Sequence, residues 1–499
     1  MSAVEVVGGV PVIYVERPGQ TLVNLMFRVG TSDETLPQRG VTHLLEHLVL
    51  HPLGMRDHHS NGATGAQITR FYAHGSAADA VAFLRDVCAS IRALPGHRLD
   101  IEKSVLRTEA SQRSQSPLTD VLIWRHGTSS DGPSVYPEWG LHRITLADVE
   151  AWRDRYLTRH NAVLVVVGPS FPESLELDLP EGQRRPVTPY VSLLPQARTS
   201  FNGSGSGLVF ETLVERGTAM SVAAQLLNRQ LYEALRQEDG SSYAAGCSYE
   251  PRDAGHASVV GYADALEDHV DAAFGRMVDV MATLRAGRLP DGAVSEIVAK
   301  RLEAIDDPEF AVGRSAVDAF DLLVGAEHVS TDQYRAKLEA LTVEEVRAHL
   351  TTILGTITLK LPPGRNGDWA GFDHQSSTSP DRVEGGWETR DLGGPGAWRL
   401  ADEGISLVEG DAALTVWFST IGAVLAWPDG RRELIAHDGI RIVLEPTMVE
   451  RGHEVREHVD RHVDPDRMIP MPARDAADVP QPATPEPKGR FARLRRRKG

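Results

Sequence analysis

The chain has 499 residues, of which 41% are hydrophobic and 24% are charged, and its formal net charge is −17. This length allows about three domains, each large enough to bury its own core. The strong negative charge argues against nucleic acid as the main partner.

Cysteine usage and the N-terminal sequence predict the cellular compartment of the protein. Two cysteines far apart in sequence, Cys88 and Cys247, predict no disulfide framework and favour a reducing compartment. The N-terminus carries neither a basic start nor an apolar run, and no stretch of about 18 apolar residues occurs. We therefore expect no signal peptide, no membrane span and a cytoplasmic location.

A short motif follows the first predicted strands, which cover residues 5–7, 10–16 and 22–29. A helix is predicted over 39–50, and it carries the sequence His-x-x-Glu-His. Its two histidines are four residues apart and therefore share one helix face, where neutral imidazoles can hold one Zn²⁺. The alternative is an ordinary amphipathic helix with two histidines beside buried leucines.

Within this motif the residues are His43, Glu46 and His47. Glu46 is close enough to the histidines to take a proton from a water molecule at the metal. The order is the inverse of the commoner His-Glu-x-x-His motif and is typical of the inverzincins. The histidines at 51, 58 and 59 are less suitable, because a loop cluster without a carboxylate binds metal only adventitiously.

Two carboxylates offer the ligand that the histidine pair lacks. A helix is predicted over 97–115, and Glu102 and Glu109 lie two turns apart on one of its faces. The alternative for either glutamate is a solvated helix face, which is the usual position of this residue type.

These residues together resemble the pitrilysin-like zinc peptidases, the family of insulin-degrading enzyme and the mitochondrial processing peptidases. The resemblance implies that His43, His47 and Glu109 bind one Zn²⁺ per chain, that Glu46 is the catalytic base, and that Glu102 supports a histidine. The gap between the two motifs is shorter than is usual in the family, which suggests trimmed loops.

A strand predicted over 61–72 would lie beside this site. Its first residues resemble the family's Asn-Ala-x-Thr segment, an edge strand that pairs with the extended substrate. The resemblance implies substrate-binding roles for Asn61, Ala63 and Thr64. A plain sheet strand is the alternative, since only an exposed edge can accept another strand.

The first domain is predicted to end at residue 170, after helices over 77–94 and 145–157 and a valine-rich strand over 161–168. A Pro-rich linker is expected over 171–206.

The second half, residues 207–365, is predicted to repeat the pattern of strand, long helix, two strands, further helices and a closing strand. Arg236 and Tyr243 match the Arg and Tyr of the family's catalytically competent second domains, which implies that both contact the substrate and the tetrahedral intermediate. The alternative is an arginine at a helix C-terminus and a core tyrosine.

The C-terminal part changes in character. A linker is expected over 366–385, followed by seven short strands and a helix over 386–463. This pattern predicts a small β-barrel of the pleckstrin-homology type. From residue 464 the chain reads as a disordered tail whose basic end could act as a weak electrostatic tether to an anionic membrane surface.

The predicted fold class is therefore α+β, with two similar αβ domains of the pitrilysin-like type and an appended β domain. The favoured function is a zinc-dependent endopeptidase acting on peptides or small unfolded segments. The alternatives are a non-catalytic assembly or scaffold subunit of the same fold and a maturation protease for one modified peptide. Because the family's full-length peptidases carry four such domains, we expect a homodimer or a heterodimer with a paralogous subunit.

Overall fold

The computed structural model describes residues 3–54, 59–112, 116–238 and 244–482. The chain divides into two compact units. The larger comprises residues 1–377 together with 437–439, and the smaller comprises residues 378–436 together with 440–499.

A six-stranded sheet forms the first half of the larger unit. The strand order is β1-β2-β6-β3-β5-β4, with β2 parallel to β6 and the other pairs antiparallel. Its strands are β1 (Ala3–Val7), β2 (Val10–Glu16), β3 (Thr21–Phe27), β4 (His59–Thr64), β5 (Thr69–Gly75) and β6 (Ala162–Gly168). The helices are α1 (Val41–Leu50), α2 (Ala77–Arg92), α3 (Leu99–Gln112), α4 (Thr119–His126) and α5 (Leu146–Tyr156).

The second half repeats the order of five of these strands, while its sixth strand, β12, comes last in the chain and is parallel to its neighbour. Its sheet has the order β12-β7-β11-β8-β10-β9, with β7 parallel to β11 and β8 antiparallel to both β11 and β10. Its strands are β7 (Thr199–Asn202), β8 (Leu208–Glu215), β9 (Ala245–Pro251), β10 (His256–Ala263), β11 (Thr358–Leu361) and β12 (Asp373–His374). The helices are α6 (Thr218–Tyr232), α7 (Val270–Arg285), α8 (Ala293–Ile305), α9 (Pro308–Val324), α10 (Thr331–Glu339) and α11 (Val343–Gly355).

Each sheet of the larger unit is covered on one face by a helix from the other half. The valine strand β6 is buried along its whole length. One face of β6 packs on the helices of its own half, and the other packs on Ala319 and Leu323 of α9. In return, Val121 of α4 packs on Phe201 and Val209 of the second sheet. Each half therefore has its own main core, and two smaller clusters of buried residues join the halves.

Buried ion pairs also join the two halves. Arg125 of α4 pairs with Glu211 of β8, and both side chains are 1% exposed. Arg252 donates from Nε to Asp131 Oδ2 at 2.7 Å, while Ser32 Oγ donates to the other carboxylate oxygen of Asp131 at 2.7 Å. Charges buried this deeply remain ionised only while each has its partner.

The smaller unit contains two four-stranded sheets and a helix. The sheets have the orders β13-β14-β15-β16 and β19-β18-β17-β20, and the core includes Trp398. The strands are β13 (Trp387–Arg390), β14 (Ala397–Ala401), β15 (Gly404–Glu409), β16 (Ala412–Trp417), β17 (Ile421–Ala426), β18 (Arg432–Ala436), β19 (Arg441–Leu444) and β20 (Met468–Pro470), and the helix is α12 (Gly452–His462). All seven predicted strands and the helix are present, while the pleckstrin-homology likeness stays a prediction.

The α+β class and the paired αβ halves are confirmed, but three sequence-based expectations were wrong in detail. The strand predicted over 61–72 is a hairpin of β4 and β5, whose turn is closed by the bond from Gly65 N to Ile68 O at 2.8 Å. Helix α4 was missed. Strands β7 and β12 lie in stretches expected to be linkers, because strands this short leave no periodic pattern.

The tail also begins later than expected. Ile469 in β20 is fully buried, and Arg474 donates from Nη1 to Glu445 Oε1 at 2.7 Å and from Nη2 to Oε2 at 2.9 Å. The chain is therefore ordered beyond residue 464, because β20 adds to a sheet edge beside β17. The basic end lies outside the described residues.

In the part of the chain that the structure describes, no helix has the length and hydropathy of a membrane span.

We predict that Arg125→Met lowers the free energy of unfolding by about 3–5 kcal/mol, because Glu211 loses its buried partner. Burial already raises the pKa of Glu211 and Arg125 opposes that rise, so removing Arg125 raises the pKa further. The ordinary pKa of a glutamate, 4.5, applies to Glu211 in the unfolded chain. Because the pKa is higher in the folded protein, the folded state binds the proton more tightly, and the free energy of unfolding decreases as the pH rises above 4.5. The cost should therefore be larger at pH 8 than at pH 5 in urea unfolding.

Two variants test the cause of this loss. Arg125→Met/Glu211→Gln should recover most of the stability, since no buried charge is left alone. Arg335→Met removes an exposed pair with Asp306 and should cost about 0.5 kcal/mol or less. Equal costs for Arg125→Met and Arg335→Met would contradict the importance of the buried pair.

Candidate metal centre

Helix α1 is fixed in place by its sequence and by its N-terminal contacts. Leu44, Leu45 and Leu48 are buried beneath it. The buried carboxylate of Glu34 accepts hydrogen bonds from Gly40 N at 3.0 Å and from Thr42 N at 2.8 Å. A carboxylate at this end satisfies free N–H groups and favours the helix dipole. The histidine-bearing face of α1 is therefore held in one orientation.

The two predicted histidines and the predicted carboxylate do come together. The rings of His43 and His47 have centroids 4.8 Å apart, and their side chains are only 12% and 19% exposed. Glu109 of α3 lies with Oε2 3.9 Å from His43 Nε2 and with Oε1 3.7 Å from His47 Nε2. One ligand atom from each residue lies within 4.8 Å of the others.

This arrangement fits a zinc ion. Ligands bound at about 2.0–2.2 Å lie about 3.5 Å apart, so closure on an ion needs shifts of about 1 Å or less. Two imidazoles and one carboxylate also form a known three-ligand donor set for catalytic zinc, which leaves one position for water.

Two further carboxylates orient the imidazoles. Glu102 Oε2 lies 3.3 Å from His47 Nδ1, and Glu138 Oε1 lies 3.0 Å from His43 Nδ1. Each carboxylate accepts the Nδ1 proton, which leaves the Nε2 lone pair directed at the cluster. Arg98 Nη2 in turn donates to Glu102 Oε1 at 2.9 Å.

Glu102 has the supporting position that the resemblance implies, whereas Glu138 was missed. Glu138 lies between two short 3₁₀ turns, in a stretch for which the sequence predicts neither a helix nor a strand. No helical spacing links it to the histidines, and its role depends on tertiary contacts alone. The only available signal was an acidic residue between aromatic residues in a loop.

Glu46 lies against strand β4. Its side chain is buried, and Thr64 Oγ1 donates to Glu46 Oε2 at 2.7 Å. A Cβ placed on Gly62 would lie 2.6 Å from Glu46 Oε1, so the carboxylate fits only because residue 62 has no side chain. The side chain of Glu46 therefore lies between its own helix, α1, and the edge strand β4.

Strand β4 is an edge strand, as predicted. It forms one end of the first sheet and pairs with β5. Asn61 is exposed and accepts a hydrogen bond from Gly62 N at 2.9 Å, and Ala63 is partly buried. Of the three residues on this strand that are predicted to bind substrate, Thr64 donates a hydrogen bond to Glu46.

The second-half residues are only partly described. Arg236 is exposed on a π-helical turn, Glu233–Glu238, that continues α6. Its Nη1 donates to Tyr232 Oη at 3.2 Å, and among the described residues no hydrogen bond or ion pair joins it to the histidine cluster. Tyr243 lies outside the described residues.

The remaining candidate side chains do not form a second metal cluster in the described ranges. His51 lies with Nδ1 3.7 Å from Glu102 Oε1, and His59 stacks on His74 at 4.9 Å, while His58 is outside the described residues. Burial raises the pKa of the Cys88 thiol to about 12, as expected for a core residue without chemistry.

No protein-family model matches the sequence, and a search of curated proteins finds no significant match. Solved structures do match. A protease from Helicobacter pylori aligns with a TM-score of 0.63 at 16% identity, covering 73% of this chain and 100% of that one. The inactive domain of an M16 peptidase from Pseudomonas fluorescens aligns with a TM-score of 0.58 at 16% identity, over 72% and 98% of the two chains.

The first half of the periplasmic protease PqqL from Escherichia coli is a third match, with a TM-score of 0.56 at 13% identity over 75% of this chain and 94% of that one. Identities this low establish the fold and not the activity, and one of these neighbours is described as inactive. The larger unit of this chain therefore has the two-domain fold of the M16 peptidases, the pitrilysin-like fold that the His-x-x-Glu-His motif predicted.

Proposed function

We propose that the protein is a zinc-dependent endopeptidase. The observation that carries this proposal is the convergence of His43, His47 and Glu109, with Glu46 buried beside an edge strand. A fold shared with proteases supports the peptide-hydrolase class.

In this proposal His43, His47 and Glu109 hold the zinc ion. The bound ion would supply Lewis-acid polarisation of the scissile carbonyl and a lowered pKa for its water. Glu46 takes the proton from the attacking water and then delivers it to the leaving amine. The Thr64 hydroxyl donates to one oxygen of Glu46, and no residue that the structure describes donates to the other oxygen, which would exchange the proton.

The substrate would bind as an added strand. The free edge of β4 offers backbone N–H and C=O groups to an extended peptide, and Asn61, Ala63 and Thr64 lie along it. Gly62 keeps the strand close to Glu46, so a paired peptide bond passes near the base. Arg236 would donate to the developing oxyanion, and its π-helical turn is a feature often found at functional sites.

Two other functions remain as alternatives. A non-catalytic scaffold subunit is favoured by the inactive M16 domain among the structural neighbours and by the absence, among the described residues, of a contact between Arg236 and the cluster. A maturation protease for one modified peptide would use the same site on a dedicated substrate. We propose, as part of this function, that the protein is cytoplasmic.

We predict that Glu46→Gln retains zinc but lowers peptide hydrolysis by about 10²–10⁴-fold, because the amide cannot accept the proton of water. The measurement is cleavage of an unbiased peptide library by the wild type and the variant, with zinc content determined on the same samples. Glu339→Gln, at an exposed glutamate on α10, is the matched control and should retain activity. Retention of full activity in Glu46→Gln would rule out the assigned base.

A second prediction separates ligands from the residues that orient them. His47→Ala should abolish stoichiometric zinc binding, whereas Glu138→Gln should weaken the affinity by about 10–100-fold, because His43 loses its carboxylate partner. Competition with a zinc chelator, followed by elemental analysis, measures both effects. Full zinc occupancy in His47→Ala would contradict the ligand set.

We also propose that two copies, or this chain and a paralogue, assemble into a closed chamber. Support comes from PqqL, of which one half alone corresponds to most of this chain. We expect light scattering to give about twice the mass of one chain, 54.4 kDa. A monomer at micromolar concentration would exclude the homodimer, and a second protein in stoichiometric amount after pull-down would identify the heterodimer.

A further inference from the structure

A cavity of about 440 Å³ lies in the second αβ half, away from the residues of the metal centre. It is bounded by the C-terminal parts of α7 and α11, by the residue before β7, and by the segment that follows β11. The apolar walls are formed by side chains from these elements: Val278, Met281, Leu354 and Trp369. Cavities of this size typically hold one small organic ligand.

Two guanidiniums line the same cavity. Arg198 and Arg285 both contribute to its wall, and no carboxylate does so among the described residues. Within the described ranges, neither arginine forms a salt bridge, so the cavity wall carries two positive charges and no negative charge. A carboxylate bound between the two guanidiniums would supply the missing negative charge.

The surroundings of Arg198 leave its positive charge uncompensated. One face of the guanidinium stacks on Phe372, with 4.1 Å from Cζ to the ring centroid. Burial, together with the like charge of Arg285, lowers the pKa of Arg198. A bound anion would offset both of these positive charges.

An aromatic surface completes the cavity. Trp369 is 65% exposed although it is a large apolar side chain, and its ring packs edge-on against Phe274 at 5.2 Å. Its remaining surface is available to a flat apolar body. The pairing of a guanidinium fork with an exposed indole suits a carboxylate attached to an aromatic group.

We propose that this cavity binds an organic anion with an aromatic or apolar body, held through its carboxylate by Arg198 and Arg285. The site is separate from the proposed peptidase centre, and its occupancy does not depend on zinc. The competing explanation is that the two arginines only offset the negative ends of α7 and α11, whose last turns lie at the cavity.

The test uses the full-length protein and two probes of the same shape, 2-naphthoate and its neutral analogue 2-naphthamide. We expect saturable binding of 2-naphthoate by titration calorimetry at or below about 5 mM, and at least tenfold weaker binding of the carboxamide. Equal affinity for the two probes, or no binding of 2-naphthoate in this range, would overturn the proposal. This comparison needs no variant and is independent of folding defects.

Variants then locate the binding. Arg285→Ala, at an exposed position, should weaken 2-naphthoate binding at least tenfold, and Trp369→Ala should weaken both probes. Arg335→Ala removes an arginine of the same half outside the cavity and should leave binding unchanged. Binding that is unaffected by Arg285→Ala would place the anion elsewhere and refute this site. Zinc content should be the same in all of these proteins.

Discussion

The whole site depends on two imidazoles that must present the same nitrogen in the same direction. An imidazole on a helix can rotate and can change its tautomer, so spacing alone does not make a metal ligand. Here the buried carboxylate of Glu34 caps α1, and Trp152 Nε1 donates to Thr42 Oγ1 at 3.1 Å, which ties the helix to α5. Glu102 and Glu138 then hold the outer nitrogens. The geometry of the candidate metal site thus depends on buried carboxylates placed around one short helix.

A comparison of the two halves separates the features that belong to the common fold from the features that belong to the candidate metal site. Helix α6 follows β8 as α1 follows β3, and the following two strands pair in the same way in both halves. Yet α6 has no histidine, and its buried positions are filled by apolar residues such as Leu226 and Leu227. Among the described residues, the candidate metal ligands therefore all lie in the first half, while the second half contributes packing, including α9 across β6, and the proposed donor Arg236.

The sequence was most informative where local spacing decides the geometry. His43 and His47 share a helix face by periodicity, and the interval from Glu102 to Glu109 follows the same rule. Glu138 could not be found in this way, because its approach to His43 depends on how a loop folds back over α1. The same limit applies to the four-residue strand β7, whose parallel partner β11 lies some 160 residues later in the chain.

The carboxylates around the two histidines are consistent with the proposed zinc ion. Three carboxylates have an oxygen within 4 Å of a ring nitrogen of His43 or His47: those of Glu102, Glu109 and Glu138. Glu46, on the same helix as the two histidines, adds a fourth carboxylate, while Arg98 pairs with Glu102 and Arg39 lies 3.8 Å from Glu138. Like charges gathered in a partly buried site destabilise one another unless a cation offsets them. A divalent ion does so directly, and binding then stabilises the fold around it. The proposed zinc ion would offset these acids, and Gly62 leaves room for one of them, because a Cβ at this position would lie 2.6 Å from Glu46 Oε1.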